Sequence, residues 1–301
     1  MDAVVFGNVT LDVICFPVDD VPRHGPLAFE RAVVSPGGCG SNVAIGLCAL
    51  GIPTALVACL GGGEAASLVQ DYWRKFGLDT RYVRSLPDSP FAVSIGLVDH
   101  DYQPRFVHTP GANALLTADH LDLDRLAAEG ARALHVAGYF VLPGILDEHF
   151  PRALQMARSL AMLTSLDVVN SPRMADPTPL WPCLPHLDYF LCNAEEAARL
   201  TGESQPRQAA QRLRRLGARN VIVKQGEKGC WVDSGDDAFD VPALTVPVVD
   251  TTGAGDAFAA GLLAALLRGE HLPSACRQAN AAAARIVGAL GPVTRWSESV
   301  A

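Results

Sequence analysis

Apolar runs about five residues long alternate along this chain with longer segments whose apolar positions recur at helical spacing. The strand-length runs fall at 3–7, 54–60, 133–137, 165–169, 187–191 and 220–224. The helix-like segments fall at 41–50, 64–76, 147–163, 194–201 and 206–216. Near-continuous Val, Leu and Ile suits strands buried on both faces, and the alternation implies βα crossovers onto a mostly parallel sheet. The expected class is therefore α/β, with helices covering both faces of a central sheet. Two regions break the rhythm. Residues 12–35 and 90–108 are richer in Pro, Asp and β-formers, with alternating stretches such as Phe91-Ala-Val-Ser-Ile-Gly-Leu-Val98 and Arg105-Phe-Val-His108. Alternation of that kind suits exposed antiparallel strands, so a small β-lid projecting from the main sheet is expected there.

Composition narrows the class of partner. At 301 residues with 49% hydrophobic and 19% charged positions, the chain is expected to form a compact core without long disordered tails. A formal net charge of −8 opposes the basic footprint of a nucleic-acid binder. The short run Arg212-Leu-Arg214-Arg215 reads as the solvated face of a helix. The apolar stretch from Val43 to Gly63 is broken by Pro53 and several glycines, so it reads as helix, turn and strand, and no membrane span is expected. Eight cysteines lie apart without a C-x-x-C pair, several inside apolar runs, as reduced core thiols of a cytoplasmic protein would. The first residues lack a basic n-region and read as a strand rather than a signal peptide.

One stretch carries the strongest chemical signal: Val248-Val-Asp-Thr-Thr-Gly-Ala-Gly-Asp-Ala-Phe-Ala-Ala-Gly-Leu-Leu-Ala-Ala-Leu-Leu267. It sets Gly253-Ala-Gly255 at the start of an apolar helix, where free N–H groups and the positive end of the helix dipole converge on an anion. Asp256 alone would also suit a first-turn acid, but two acids, two threonines and two glycines within seven residues favour a ligand site. A second cluster, Pro36-Gly-Gly-Cys-Gly-Ser-Asn-Val-Ala44, also leads into a helix. Neither cluster has dinucleotide-fingerprint or P-loop spacing. Gly7-Asn-Val-Thr-Leu-Asp12 follows the first strand, where α/β folds gather ligand groups.

Taken in order, these segments resemble the ribokinase-like (PfkB) family of carbohydrate and nucleoside kinases over essentially the whole chain. The resemblance rests on Gly7-Asn8 with Asp12, Gly37-Gly38-x-x-x-Asn42-x-Ala44, Gly111-Ala-Asn113, Asn193-x-x-Glu196, Lys224-x-Gly226-x-x-Gly229 and Asp250-Thr-Thr-Gly-Ala-Gly-Asp256. It implies a ribokinase-like three-layer sandwich with a β-lid, read as one kinase domain over 1–301, and transfer of the ATP γ-phosphoryl group to a substrate hydroxyl. By resemblance Asp256 is the catalytic base, and Gly253, Ala254 and Gly255 form the anion hole. Asn193 and Glu196 help position Mg2+ and the phosphates, Glu196 through water. Lys224, Gly226 and Asn280 lie on the nucleotide side, and Asp250 and Thr252 match a monovalent-cation site, with K+ as the ion. Asn8, Asp12, Gly38 and Asn42 match positions that hold sugar hydroxyls. Arg105 and His108, from their place on the expected lid strand, could reach substrate.

The sequence departs from ribokinases proper at Cys39, where those usually carry lysine. No basic cluster marks a sugar-phosphate acceptor, so an unphosphorylated sugar is the expected substrate and a nucleoside the alternative. A non-catalytic sugar or nucleotide sensor on the same fold, and a dinucleotide-dependent oxidoreductase, rank below the kinase, because the chemical residues are present and no Rossmann fingerprint follows the first strand. A homodimer is expected if apolar lid faces such as Phe91, Val93 and Ile95 pair between chains.

Overall fold

The computed structural model describes residues 1–297; the last four positions of the expected 1–301 domain lie outside the described residues. In chain order the strands are β1 (Ala3–Gly7), β2 (Thr10–Phe16), β3 (Arg31–Gly37), β4 (Thr54–Gly61), β5 (Val83–Leu86), β6 (Val93–Val98) and β7 (Pro104–His108). They continue with β8 (Ala133–Ala137), β9 (Leu163–Asp167), β10 (Tyr189–Asn193), β11 (Val221–Lys224), β12 (Cys230–Asp233) and β13 (Ala238–Val241).

Nine strands form the main sheet in the order β13-β12-β11-β10-β9-β8-β1-β4-β5. Seven run parallel from β11 to β5, and β12 and β13 add an antiparallel edge. β1, β4 and β8 are buried at every position, as a sheet covered on both faces requires. One apolar core lies on each face. Phe6, Leu134, Phe150 and Phe190 belong to one, and Val5, Leu56, Ile222 and Leu262 to the other. On the second face, helix Ala254–Leu267 packs against helix Leu272–Ile286 and helix Cys39–Ala49. Its Ala- and Leu-rich sequence combines strong helix propensity with burial on nearly all sides. That helix carries Asp256 in its first turn, so a largely buried element fixes the carboxylate.

The other four strands form a separate sheet, β3-β2-β6-β7, which is the lid. The lid strands start earlier and end later than 12–35, and residues 17–30 form a loop between β2 and β3 rather than strand. Helix 147–163 is also shorter than its pattern, spanning Phe150–Ser159. Asp147 accepts the N–H groups of His149 and Phe150, Pro151 fits only a first turn, and Ala161 takes φ of 59° just past the end. β9 closes at Asp167 rather than residue 169, which places a carboxylate at a strand C-terminus.

Candidate active site

The C-terminal ends of the parallel strands, the start of helix Ala254–Leu267 and the inner face of the lid enclose a cavity of about 1030 Å3. Sites of this size at the carboxyl ends of a parallel sheet are the usual place for small ligands.

Asp256 stands half-buried in the cavity wall. Its Oδ2 accepts the Asn42 Nδ2 hydrogen at 2.8 Å. Burial pushes its pKa up to about 6; the charge of Asp167 adds to the rise, and Asn42 and the Lys224 ammonium oppose it. No side chain caps the helix that begins at Ala254, and Gly253, Ala254 and Gly255 line the cavity beside Asp256. The Ala254 N–H donates to Thr251 O at 3.2 Å, and the helix start leaves the Gly253 and Gly255 N–H groups for an anion. Gly253 has φ of 78°, and a Cβ on it would stand 2.6 Å from Pro292 Cβ. Only glycine satisfies both the left-handed backbone and that contact.

Asp250, fully buried, ties this turn to the 286–294 segment. Its Oδ1 accepts from the Thr252 N–H at 2.9 Å and the Thr252 hydroxyl at 2.7 Å, while Oδ2 accepts from the Gly291 N–H at 2.8 Å.

Of the residues expected to hold the acceptor, the cavity gathers Asn8, Asp12, Gly38, Asn42 and His108. Asn113, absent from the assigned set, grips the β1–β2 turn through both side-chain atoms: Oδ1 accepts from Val9 N at 2.9 Å and Nδ2 donates to Val9 O at 2.8 Å. The Oδ1 atoms of Asn8 and Asn42 are buried without a protein partner, and such atoms are costly unless a ligand satisfies them. Asp12 accepts the Thr10 hydroxyl at 2.6 Å. Burial raises its pKa to about 7 against that bond, with the Asp256 and Asp250 charges adding to the rise.

Arg105 is placed elsewhere. Pro104, Phe106 and His108 line the cavity, whereas Arg105 lies on the other face of β7 and donates to the carbonyls of Val18 at 2.7 Å and Asp19 at 2.6 Å. It braces the lid from outside. Strand alternation decides this, and the wrong parity is invisible until the register is known.

The cavity also brings together Asn193, Glu196, Lys224, Gly226 and Asn280, the residues expected on the nucleotide side. Asn193 and Glu196 form a reciprocal capping box: Asn193 Oδ1 accepts from Glu196 N at 2.8 Å, and Glu196 Oε2 accepts from Asn193 N at 2.7 Å. The N-x-x-E spacing is thus a helix start in its own right, and it presents both side chains to the cavity. Burial raises the Glu196 carboxyl to about 7, and Lys224 opposes the rise. Lys224 is held above its usual value, the pull of Asp167, Glu196 and Asp256 outweighing the opposing effect of burial. Asn280 donates both amide hydrogens outward, to Val241 O at 3.1 Å and Pro242 O at 3.0 Å.

Sequence reasoning passed over Asp167, which lines the cavity, accepts the Gly138 N–H at 2.7 Å and is raised by burial against the Lys224 charge. It ends the parallel strand Leu163-Thr-Ser-Leu-Asp167, where α/β folds gather ligand groups. Tyr139 is core, fully buried with its hydroxyl donating to Pro179 O.

A family model described as pfkB family carbohydrate kinase matches residues 1–298. The chain belongs to the pfkB family of carbohydrate kinases. Members transfer a phosphoryl group from ATP to an alcohol group of a sugar or nucleoside, so this pfkB kinase is an ATP-binding phosphotransferase. Aminoimidazole riboside kinase of Salmonella typhimurium is 29% identical to it over 294 residues, covering 86% of this chain and 84% of that one. Fructokinase-2 of Oryza sativa subsp. japonica is 29% identical over 276 residues, covering 86% and 78%. The fold matches that of a putative ribokinase II from E. coli in complex with ATP and Mg2+, with a TM-score of 0.83, 22% identity and coverage of 99% and 97%. All eight cysteines are free thiols, and no helix among the described residues is long and apolar enough to cross a membrane.

Proposed function

We propose that this pfkB kinase phosphorylates a hydroxyl of an unphosphorylated sugar or sugar-like acceptor, with Asp256 as the catalytic base. The observation that carries the reading is the position of the Asp256 carboxylate. It lies between a cluster of uncharged and acidic acceptor groups and an uncapped helix start, with Lys224 beyond. Asn42 fixes its orientation, so it can align the attacking hydroxyl and take the proton as the new P–O bond forms. The N–H groups of Gly253 and Gly255 face the transferring phosphoryl oxygens, and positioning with charge stabilisation is most of what phosphoryl transfer asks of a protein.

The residues fit Mg2+ held with the nucleotide. Glu196 offers a hard oxygen ligand, and no group of three or more His, Cys, Asp or Glu among the described residues forms a protein cage. Mg2+ usually keeps its waters and bridges to phosphate in sites of that kind. When bound it supplies neutralisation of phosphate charge. K+ fits beside Asp250, a buried carboxylate whose hydrogen-bond partners are two backbone N–H groups and a hydroxyl, none of them charged. The ion would order the 252–255 turn; equal rates in K+ and in tetramethylammonium would remove it from the reading. A second copy of the chain on the outer lid face completes the proposal.

The deciding experiment is ADP release from ATP with a panel of sugars, sugar phosphates and nucleosides. Turnover with unphosphorylated acceptors is expected. ATP binding without ADP formation on any acceptor would instead favour a sensor.

A further inference from the structure

Two in-register rows cross the inner face of the lid. One joins Ser35, Asp12, Ser94 and His108, and the next joins Val33, Ile14, Gly96 and Phe106. Asp12, Ser94, His108 and Phe106 all line the cavity. The first row continues the set of polar groups formed by Asn8 and Asn42 and offers donors and acceptors to hydroxyls. The second row offers none. A Cβ on Gly96 would stand 2.6 Å from Ile14 Cδ1 and 2.9 Å from Phe106 Cε1. The missing side chain is what lets the Phe106 ring close over the middle of that row. The ring is still 44% exposed. Pro104, two residues back on the same strand, and Pro110 also line the cavity. The Arg105 bonds to Val18 and Asp19 hold the strand that carries the ring.

A free pentose or hexose carries hydroxyls on every side, and its needs are met by the polar row. It would leave the Phe106 ring in water. An acceptor joining a sugar to a flat apolar group would satisfy both rows at once, hydroxyls on one and ring on the other. We propose that the acceptor is nucleoside-like: a sugar carrying an aromatic or heteroaromatic base, with the sugar held by Asp12, Asn8 and Asn42 and the base stacked on Phe106. This rests on the kinase reading above and narrows its substrate class. Phe106 is then a specificity-determining residue, and the chain treats a free sugar as a truncated substrate.

The test compares ribose, fructose, inosine and adenosine as acceptors for the full chain with ATP and Mg2+. The kcat/KM of at least one nucleoside is expected to exceed both free sugars by about 10-fold or more, and Phe106→Ala should lower it by about 10- to 100-fold, mainly through KM. The loss on ribose and fructose should be clearly smaller than the loss on the nucleoside. Equal or better turnover of ribose or fructose overturns the proposal, as does a Phe106→Ala loss shared equally by sugars and nucleosides. If no acceptor yields ADP, the kinase reading fails by itself. Calorimetric binding of inosine against ribose then still decides the acceptor: tighter inosine binding, weakened by Phe106→Ala, supports the stacking site, and tighter ribose binding overturns it.

Discussion

Asp256 separates chemistry from binding more cleanly than any other side chain of the site. Replacing it by asparagine keeps its size and leaves the helix start of Gly253 to Gly255 in place, while removing the charge proposed to accept the hydroxyl proton. General-base assistance is worth about 10²–10⁴-fold, so kcat of Asp256→Asn should fall by that order. ATP affinity should hold or tighten, because a carboxylate facing the γ-phosphate repels it. Steady-state turnover and nucleotide titration on the same preparation check this, and near-normal turnover would reduce Asp256 to a first-turn acid. Its pH dependence follows from burial. The base works as a carboxylate, and its pKa is raised to about 6, so kcat/KM should fall as pH drops through that value, and a profile flat to pH 5 would speak against the assignment.

The same burial predicts a stability effect of opposite sense to ordinary surface acids. Asp12 and Glu196 are both raised to about 7, in each case by burial before any other cause. The folded state therefore binds protons more tightly than the unfolded chain, in which these groups titrate near their usual values of about 4. Between those limits stability falls as pH rises. The melting temperature of the ligand-free protein should thus increase on going from pH 8 to pH 6, and saturation with Mg2+ and nucleotide should reduce the part due to Glu196. A melting temperature that declines over that range would show that the carboxyls are solvated in the free protein.

At the scale of elements, the turn from Asp250 to Gly255 acts as one piece. Asp250 fastens it to Gly291, and Gly253 packs on Pro292 with a left-handed backbone. A methyl group at 253 meets both penalties, so Gly253→Ala should turn the N–H groups away from the phosphoryl position. Loss of one such donor typically costs about 10²–10³-fold in kcat, and a drop of that order is expected with little change in acceptor KM. Unaltered kcat would show that the turn tolerates another backbone. Much of this element was legible in the sequence alone, because the acids, glycines and helix run without a break from Asp250 to Leu267. The lid was legible in type but less so in extent. Its alternation showed in β6 and β7, yet nothing in the pattern of 12–35 marks where β2 gives way to the loop 17–30. Arg105 and Phe106 illustrate the sharper limit: neighbours on one strand face opposite ways, and only the register reveals that Phe106 faces the cavity while Arg105 braces the β2–β3 loop. Asp167 was hidden for a different reason: the run expected at 165–169 has it in the middle, and only the strand's end at 167 turns it towards the cavity. The β12–β13 edge went unread because strands of four residues are too short to show a period.

For the whole molecule, the two sheets differ in how they are covered. The main sheet has a deep core on each face, whereas among the described residues the buried cluster under the lid comprises Ile14, Phe16, Val98 and Leu290. Across the outer lid face runs an in-register row of Val34, Val13, Ile95 and Val107, with exposures of 46% for Val34, 40% for Ile95 and 65% for Val107. Four β-branched side chains aligned across every strand of a sheet are unlike the mixed outer face expected where a sheet meets water. The expected face of Phe91, Val93 and Ile95 lies in the same region, and Ile95 belongs to the row. A second lid laid against this one would bury the row and give each sheet the opposing layer it lacks. The prediction is a dimer at micromolar concentration by sedimentation equilibrium. Val107→Lys, placed at the most exposed point of the row and pointing away from the cavity, should shift the protein towards monomer by placing two like charges near the symmetry axis. Turnover per chain should fall with dissociation, because the lid that carries Asp12, Phe106 and His108 loses its outer support. A wild-type protein that sediments as a monomer throughout that range would refute the lid-to-lid arrangement, and a dimer unaffected by Val107→Lys would place the contact on another surface.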